Sequence, residues 1–166
     1  MLFTNYIELN GKTVAKPLFS ATDRIIAFDA EGVLLLQKGV YKHGVRHRRK
    51  DDYVLHAQAK SVVRQALEDF NKVVLWSTHC EPLQLLIEQG FPFTEVHRYI
   101  AGGRVINDNL VKDLRILSPD IGLKNVIAIE DDDIYFDPLN RVVPVSKHES
   151  LVEKYLEARR KVNGRN

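Results

Sequence analysis

The sequence IIAFDAEGV, residues 25–33, begins with a four-residue apolar run and continues directly into an acidic residue, Asp29. A short apolar run bounded by turn-forming residues is typical of a strand that is buried on both faces of a parallel sheet. In open α/β sheets, ligands bind beyond the carboxyl ends of the strands. The stretch therefore predicts a buried strand that ends in a functional carboxylate. The alternative for Asp29 is a turn or helix-cap residue.

Apolar runs of strand length alternate with helical patterns along the rest of the chain, which indicates a parallel sheet covered by helices on both faces. The predicted strands lie at residues 25–28, 73–76, 96–100, 126–129 and 142–145. The predicted helices lie at residues 59–70, 83–87, 108–117 and from about 149 onward. The fold class expected from this alternation is α/β.

Length and composition predict one domain, because 166 residues with 45% hydrophobic side chains can form an ordinary core. We expect residues 1–22 to form a hairpin extension around Asn10-Gly11, residues 23–150 the core, and residues 151–166 a C-terminal helix. No apolar stretch approaches the roughly 18 residues of a membrane span, and the start does not resemble a signal peptide. We therefore expect a soluble, cytoplasmic protein without a membrane partner.

Four polar clusters follow one another along the chain: Asp29, Ser77, Lys112 and the pair Glu130-Asp131. A carboxylate nucleophile, a hydroxyl, a lysine and an acidic pair are the minimal parts of metal-assisted phosphoryl transfer through an aspartyl-phosphate. All but the lysine come directly after a candidate strand, so three strand ends could converge on one crevice. Taken singly, Ser77 could be an ordinary cap and Lys112 an ordinary surface lysine.

This order of residues resembles the haloacid dehalogenase superfamily of aspartate-dependent phosphotransferases. Residues 29–33, DAEGV, are similar to its first motif, Asp-x-Asp-x-Thr/Val, and residues 74–77 are similar to the second. Lys112 fits the third motif, and residues 130–131 fit the fourth. Bacterial receiver domains use similar residue types, but their acidic residues come first and their lysine last, so the order disfavours them.

The second half of the chain narrows the resemblance to one group within that superfamily. Residues 111–114, VKDL, and residues 126–145 resemble the small capless phosphatases that act on the C-terminal tail of RNA polymerase II. In those enzymes a Lys-Asp-Leu stretch precedes an acidic strand end and an Asn-x-x-x-Pro tail, matched here by Asn140 and Pro144. The likeness covers about residues 23–150.

The resemblance implies a three-layer, Rossmann-like fold without a sizeable cap domain and the activity of a Mg²⁺-dependent phosphatase, a hydrolase of phosphoric monoesters. Asp29 would attack the phosphorus, and Glu31 would protonate the leaving group and later activate water. Ser77, Thr78 and Lys112 would bind the phosphate. The implied metal ligands are Asp29, Glu31 through its main-chain carbonyl, Glu130 and Asp131.

Glu31 departs from the family's motif, which has aspartate at this position. The extra methylene moves the carboxyl by roughly 1 Å, and a misplacement of that size can cost about 10²-fold in rate. Either the surrounding chain adjusts so that Glu31 still acts, or the protein is a catalytically impaired module that binds phosphate, protein or nucleic acid. The acidic run at 130–133, EDDD, would repel itself without a cation, which favours a bound metal; the alternative is a solvated loop.

The substrate is undecided between phosphoprotein and nucleic acid. Without a cap the crevice would be open, which suits a phosphate group on a macromolecule. Residues 38–50, KGVYKHGVRHRRK, contain six Lys/Arg although the net charge is only +2, and Arg46, Arg48 and Arg49 are candidate substrate contacts. The alternative is a solvated loop that Asp51-Asp52 balances.

Overall fold

The computed structural model describes the chain in segments that together define an α/β fold. The described residues are 5–9, 12–16, 22–38, 52–76, 85–86, 88–91, 95–97, 105–106, 109–110, 112–113, 123–131, 136–137, 141–146 and 148–163. The strands before the first helix are β1 Asn5–Leu9, β2 Lys12–Lys16, β3 Ile25–Phe28, β4 Leu35–Gln37 and β5 Tyr53–Leu55. Those after it are β6 Lys72–Trp76, β7 Glu95–His97, β8 Val105–Ile106, β9 Asn109–Leu110, β10 Lys112–Asp113, β11 Val126–Glu130, β12 Phe136–Asp137 and β13 Val142–Pro144. The helices are α1 Ala59–Asp69 and α2 Leu151–Val162, with a 3₁₀ turn at Leu123–Asn125.

Five strands form one sheet in the order β13-β11-β3-β6-β7, and every neighbouring pair in it is parallel. The first of these strands to enter the sheet, β3, lies at its centre. The chain adds β6 and β7 on one side of β3, then returns to add β11 and β13 on the other side. The strand order therefore reverses between β3 and β11. In open α/β sheets such a reversal places a ligand crevice beyond the carboxyl ends of the two strands.

The central strands are apolar without interruption because both of their faces are covered. All four residues of β3 are at most 1% exposed, and the apolar residues of β11 are 0% exposed. The helix α1 packs on β6, and α2 packs on β11, β13 and α1. The buried positions of α1, Ala59, Val62, Val63 and Ala66, have the spacing of a helix with one apolar face. The predicted strands at 25–28, 73–76, 126–129 and 142–145 are thus confirmed to within one residue at each end.

A polar contact joins the C-terminal end of α1 to the middle of α2. The hydroxyl of Tyr155 donates to Oδ2 of Asp69 at 2.5 Å, and Nη1 of Arg159 donates to the same oxygen at 3.1 Å. Burial alone would raise the pKa of Asp69, but the hydrogen bonds from Tyr155, Arg159 and Gln65 together lower it. Burial and the adjacent Asp69 carboxylate raise the pKa of Tyr155. The contact fixes α2 against α1, and so holds both helices in place on the sheet.

The predicted N-terminal hairpin and the helix from about residue 149 are also confirmed. β1 and β2 pair antiparallel with Leu9 opposite Lys12, while the predicted turn residues 10–11 lie outside the described part of the chain. Ser150 caps α2, because its Oγ accepts a hydrogen bond from the backbone N–H of Glu153 at 3.3 Å. Of the predicted short helix at 83–87, Leu85 and Leu86 are helical, and the other three positions lie outside the described residues. Gly90 follows with a positive φ of 73°.

The predicted helix at 108–117 is wrong where the structure describes it. Asn109–Leu110 and Lys112–Asp113 are strands, β9 and β10. β9 pairs antiparallel with β8, and β10 pairs parallel with β12, a partner more than twenty residues away. The Asn-Asp-Asn sequence at 107–109 contains poor helix formers that favour turns, so pairing with other strands decides the local structure. For the predicted strand at 96–100, β7 covers residues 95–97, and the rest lies outside the described residues.

The helices of the described segments are too short or too polar to cross a membrane.

Candidate functional site

Three carboxylates meet at the point where the strand order reverses. Asp29 follows the last residue of β3, Glu130 is the last residue of β11, and Asp131 comes next. Because β3 and β11 are adjacent and parallel, their carboxyl ends lie at the same edge of the sheet. The backbone N–H of Asp29 donates to the carbonyl of Ile129 at 3.0 Å, which ties the two ends together. One carboxylate oxygen from each acidic residue lies within 4.8 Å of the other two. We call Asp29, Glu130 and Asp131 the carboxylate group.

Three carboxylates this close together repel one another, and a positive charge among them would reduce that repulsion. Asp29 is 8% exposed and Glu130 is 3% exposed, so their carboxylates have little contact with water. Asp131 is more exposed, but its carboxyl packs against Gly32 in the turn that follows Asp29. Burial of that carboxyl is the main cause of the raised pKa of Asp131; the hydrogen bond with Glu130 opposes it, and the adjacent Asp29 adds to it. A hard divalent cation would neutralise such a group, and carboxylate oxygens are ligands that Mg²⁺ prefers.

Gly32 allows the chain after β3 to approach Asp131. Its φ is +82°, in the left-handed region that glycine adopts at little cost. A Cβ at this position would lie 2.5 Å from Cγ and 2.7 Å from Cβ of Asp131, closer than non-bonded carbon atoms can come. Residue 32 is therefore glycine for two physical reasons, backbone conformation and space. The contact holds the acidic strand end of β11 against the turn that follows Asp29.

A tight turn after Asp29 brings β4 back beside Glu31. The N–H groups of Leu34 and Leu35 both donate to the carbonyl of Ala30, at 3.0 and 2.8 Å, and Gly32 N–H donates to the carbonyl of Leu35 at 2.7 Å. The apolar side chains of this turn, Ala30, Val33 and Leu34, are at most 1% exposed and anchor it in the core. β4 then pairs antiparallel with β5. The turn places Gln37, at the end of β4, within reach of Glu31.

The carboxylate of Glu31 lies outside the carboxylate group. Its Oε1 accepts a hydrogen bond from Nε2 of Gln37 at 2.9 Å. Both side chains are partly buried, and both line an open cleft of about 540 Å³. Leu36 and Val54, which are cross-strand partners on β4 and β5, line the same cleft. So do Asp131 and His148. A cleft of this volume is in the range of small-molecule sites, and it adjoins the carboxylate group at Asp131.

Of the other predicted site residues, the structure describes only the backbone of Lys112. Lys112 begins β10, opposite Phe136 in β12. β6 ends at Trp76, the residue before Ser77, and β6 neighbours β3 in the sheet. The remaining predicted residues lie outside the described part of the chain: Ser77, Thr78, Arg46, Arg48 and Arg49.

Sequence reasoning missed the roles of Gly32 and Gln37. The glycine three residues after Asp29 was visible as a turn signal, but nothing local indicates that Asp131 packs on it. Gln37 has no sequence signal, because its contact with Glu31 depends on the turn that reverses the chain. No protein-family model matches the sequence, and no curated protein matches it.

Proposed function

We propose that the protein is a Mg²⁺-dependent phosphatase that hydrolyses phosphoric monoesters through an aspartyl-phosphate on Asp29. The observation that carries the proposal is the carboxylate group, whose oxygens lie within 4.8 Å of one another at the carboxyl ends of adjacent parallel strands. The reversal of strand order at the same point supports a Rossmann-like fold of the haloacid dehalogenase type. The order of Asp29, Ser77, Lys112 and Asp131 in the sequence supports the same assignment.

The residues of the site fit a hard divalent cation. Asp29, Glu130 and Asp131 would hold it, and they offer only oxygen donors. Burial is the main cause of the raised pKa of Asp131, and the charge of Asp29 adds to it; a cation would offset both effects. When bound, Mg²⁺ supplies positive charge that neutralises the carboxylates and the phosphate oxygens.

Asp29 and Glu31 carry out the two chemical steps of the proposed reaction. A carboxylate oxygen of Asp29 attacks phosphorus, the ester P–O bond breaks, and its electron pair leaves on the ester oxygen, which takes a proton from Glu31. A water molecule then attacks the aspartyl-phosphate and gives its proton to Glu31. The bond between phosphorus and Asp29 breaks, inorganic phosphate leaves and both carboxyl groups return to their starting states. Glu31 lines the open cleft that adjoins the carboxylate group at Asp131.

The phosphate oxygens need further donors, for which we propose Ser77, Thr78 and Lys112. Ser77 directly follows β6, the strand beside β3. Lys112 is proposed because it has the position of the phosphate-binding lysine in the order of the motifs. The open cleft is compatible with a phosphate carried by a macromolecule such as a phosphoprotein. Arg46, Arg48 and Arg49 remain candidate contacts to such a substrate.

Hydrolysis of an aryl phosphate by the purified protein tests the proposal. We expect turnover that requires Mg²⁺ and that falls to background in Asp29→Asn. Asp23→Asn is the matched control, because Asp23 precedes the opposite, amino end of β3 and should keep wild-type activity. Binding of Mg²⁺ and phosphate without turnover would instead identify the impaired binding module, and an active Asp29→Asn would contradict the assigned nucleophile.

A further inference from the structure

We infer that Gln37 is a positioning residue for Glu31. Its side-chain amide holds the Glu31 carboxylate in the cleft, apart from the carboxylate group, where it can exchange a proton with a leaving group. The inference rests on the proposed phosphatase function. It explains how a glutamate can act as the acid and base at a position where the haloacid dehalogenase superfamily has aspartate. It adds a residue on β4 that the motif itself does not include.

The hydrogen bond between the two side chains is built into the backbone fold. Nε2 of Gln37 donates to Oε1 of Glu31 at 2.9 Å, and both side chains are partly buried. Gln37 is paired across the hairpin with Tyr53, which is only 4% exposed and so anchors this end of β4. On the other side, an isolated bridge joins Glu31 to Leu35, which is 0% exposed. The backbones of Gln37 and Glu31 are thus each paired with the backbone of a buried residue.

A restraint is needed because glutamate has one more rotatable bond than aspartate. The added bond increases the conformational freedom that must be lost for a productive geometry. Glu31 is also only two residues from Asp29, and carboxylates are ligands that Mg²⁺ prefers. An unrestrained Glu31 could therefore turn toward the cation and cease to serve the leaving group. The amide of Gln37 opposes that movement with a neutral donor, which adds no charge to the cleft.

Two substrates that differ in leaving group separate positioning from a purely structural role. An aryl oxide leaves readily without a proton, whereas an alkoxide such as that of phosphoserine needs one. Gln37→Met keeps the length of the side chain and removes the donor. We compare kcat/KM, which covers the steps up to release of the leaving group and excludes the later attack by water that Glu31 also assists. For phosphoserine, kcat/KM should fall about 10- to 100-fold, the range that follows from misplacing a catalytic group by roughly 1 Å. For the aryl phosphate, kcat/KM should fall by less than about threefold, because protonation of the leaving group matters little there.

Three comparisons make the result decisive. Gln89→Met is the matched control, because Gln89 is exposed and lines a different cleft, and it should leave the ratio of the two rates unchanged. In the Glu31→Gln background, Gln37→Met should have little further effect on phosphoserine, because the group that it positions is gone. Equal losses on both substrates would show a structural role only and overturn the inference. An unchanged ratio in Gln37→Met would overturn it as well.

Titration of the protein with Mg²⁺ alone keeps the inference testable if the protein proves inactive. Absence of turnover would refute the proposed function but not the placement of Glu31. Release of Glu31 by Gln37→Met should add a carboxylate to the cation site and tighten Mg²⁺ binding by about threefold or more. The double variant with Glu31→Gln should lose that gain. In an inactive protein, an unchanged Mg²⁺ affinity in Gln37→Met would overturn the inference.

Discussion

Asp131 lies directly against Gly32, so closely that a Cβ on residue 32 would come within 2.7 Å of the Cβ of Asp131. This contact joins the two strand ends that carry the carboxylate group. Gly90 also has a positive φ, but a Cβ at residue 90 would meet nothing within 4 Å. The close approach of another residue is therefore a requirement of Gly32 that Gly90 does not share.

The two glycines provide a matched pair of substitutions. Gly90→Ala should lower the free energy of unfolding by about 1–2 kcal/mol, the cost of a left-handed alanine. Gly32→Ala should lower it by about 1–3 kcal/mol more, because Asp131 must also move. It should weaken Mg²⁺ binding too, whereas Gly90→Ala should not. Urea unfolding and calorimetric titration measure the two effects. Equal Mg²⁺ affinities for the two variants would show that the contact does not shape the cation site.

Removal of one charge from the carboxylate group should affect stability and metal binding in opposite directions. In Asp131→Asn, repulsion with Asp29 is lost, so the free energy of unfolding in the presence of a chelator at pH 7 should rise by about 1 kcal/mol. Affinity for Mg²⁺ should fall, since one of three carboxylates is gone. Glu68→Gln, which removes one charge from an exposed position near the C-terminal end of α1, is the control. If Asp131→Asn destabilises the metal-free protein and leaves Mg²⁺ binding intact, the carboxylate group is not a cation site.

The contact between Asp69, Tyr155 and Arg159 predicts how stability depends on pH. The folded-state pKa of Asp69 lies below its ordinary value of 3.8, because hydrogen bonds to the ionised form outweigh the effect of burial. Its contribution to stability is therefore complete above pH 3.8 and is lost as the pH falls through the lower folded value. Asp69→Asn should cost about 1–2 kcal/mol at pH 7 and progressively less below pH 3.8.

Denaturant unfolding of wild type and Asp69→Asn between pH 7 and pH 3 measures that difference. Glu68→Gln, exposed on the same helix, should show no such convergence with the wild type. A difference that grows as the pH falls would mean that the folded protein raises the pKa of Asp69, contrary to the contact described.

The parts of the fold that sequence could predict are those fixed by local pattern. β3 and β11 are uninterrupted apolar runs because both of their faces are buried, and α1 has the spacing of a helix with one buried face. The meeting of Asp29 with Glu130 and Asp131 was predictable as well, since all three follow or end strands that the pattern makes parallel neighbours.

The parts that could not be predicted depend on contacts between distant segments. β10 forms by pairing with β12, so the helical reading of residues 108–117 failed there. The hydrogen bond from Gln37 to Glu31 depends on a six-residue reversal of the chain, and the contact of Gly32 with Asp131 joins segments about a hundred residues apart. The roles of Ser77 and Lys112 remain predictions from motif order.

A crystal structure of the protein with Mg²⁺ and beryllofluoride, which imitates a phosphoryl group on a carboxylate, would show whether Asp29 is the nucleophile. We expect beryllium bonded to a carboxylate oxygen of Asp29, Mg²⁺ in contact with the carboxylate group, and Glu31 still hydrogen-bonded to Gln37 at the cleft. Beryllofluoride bound elsewhere, or Mg²⁺ held without Asp29 and Asp131, would contradict the proposal.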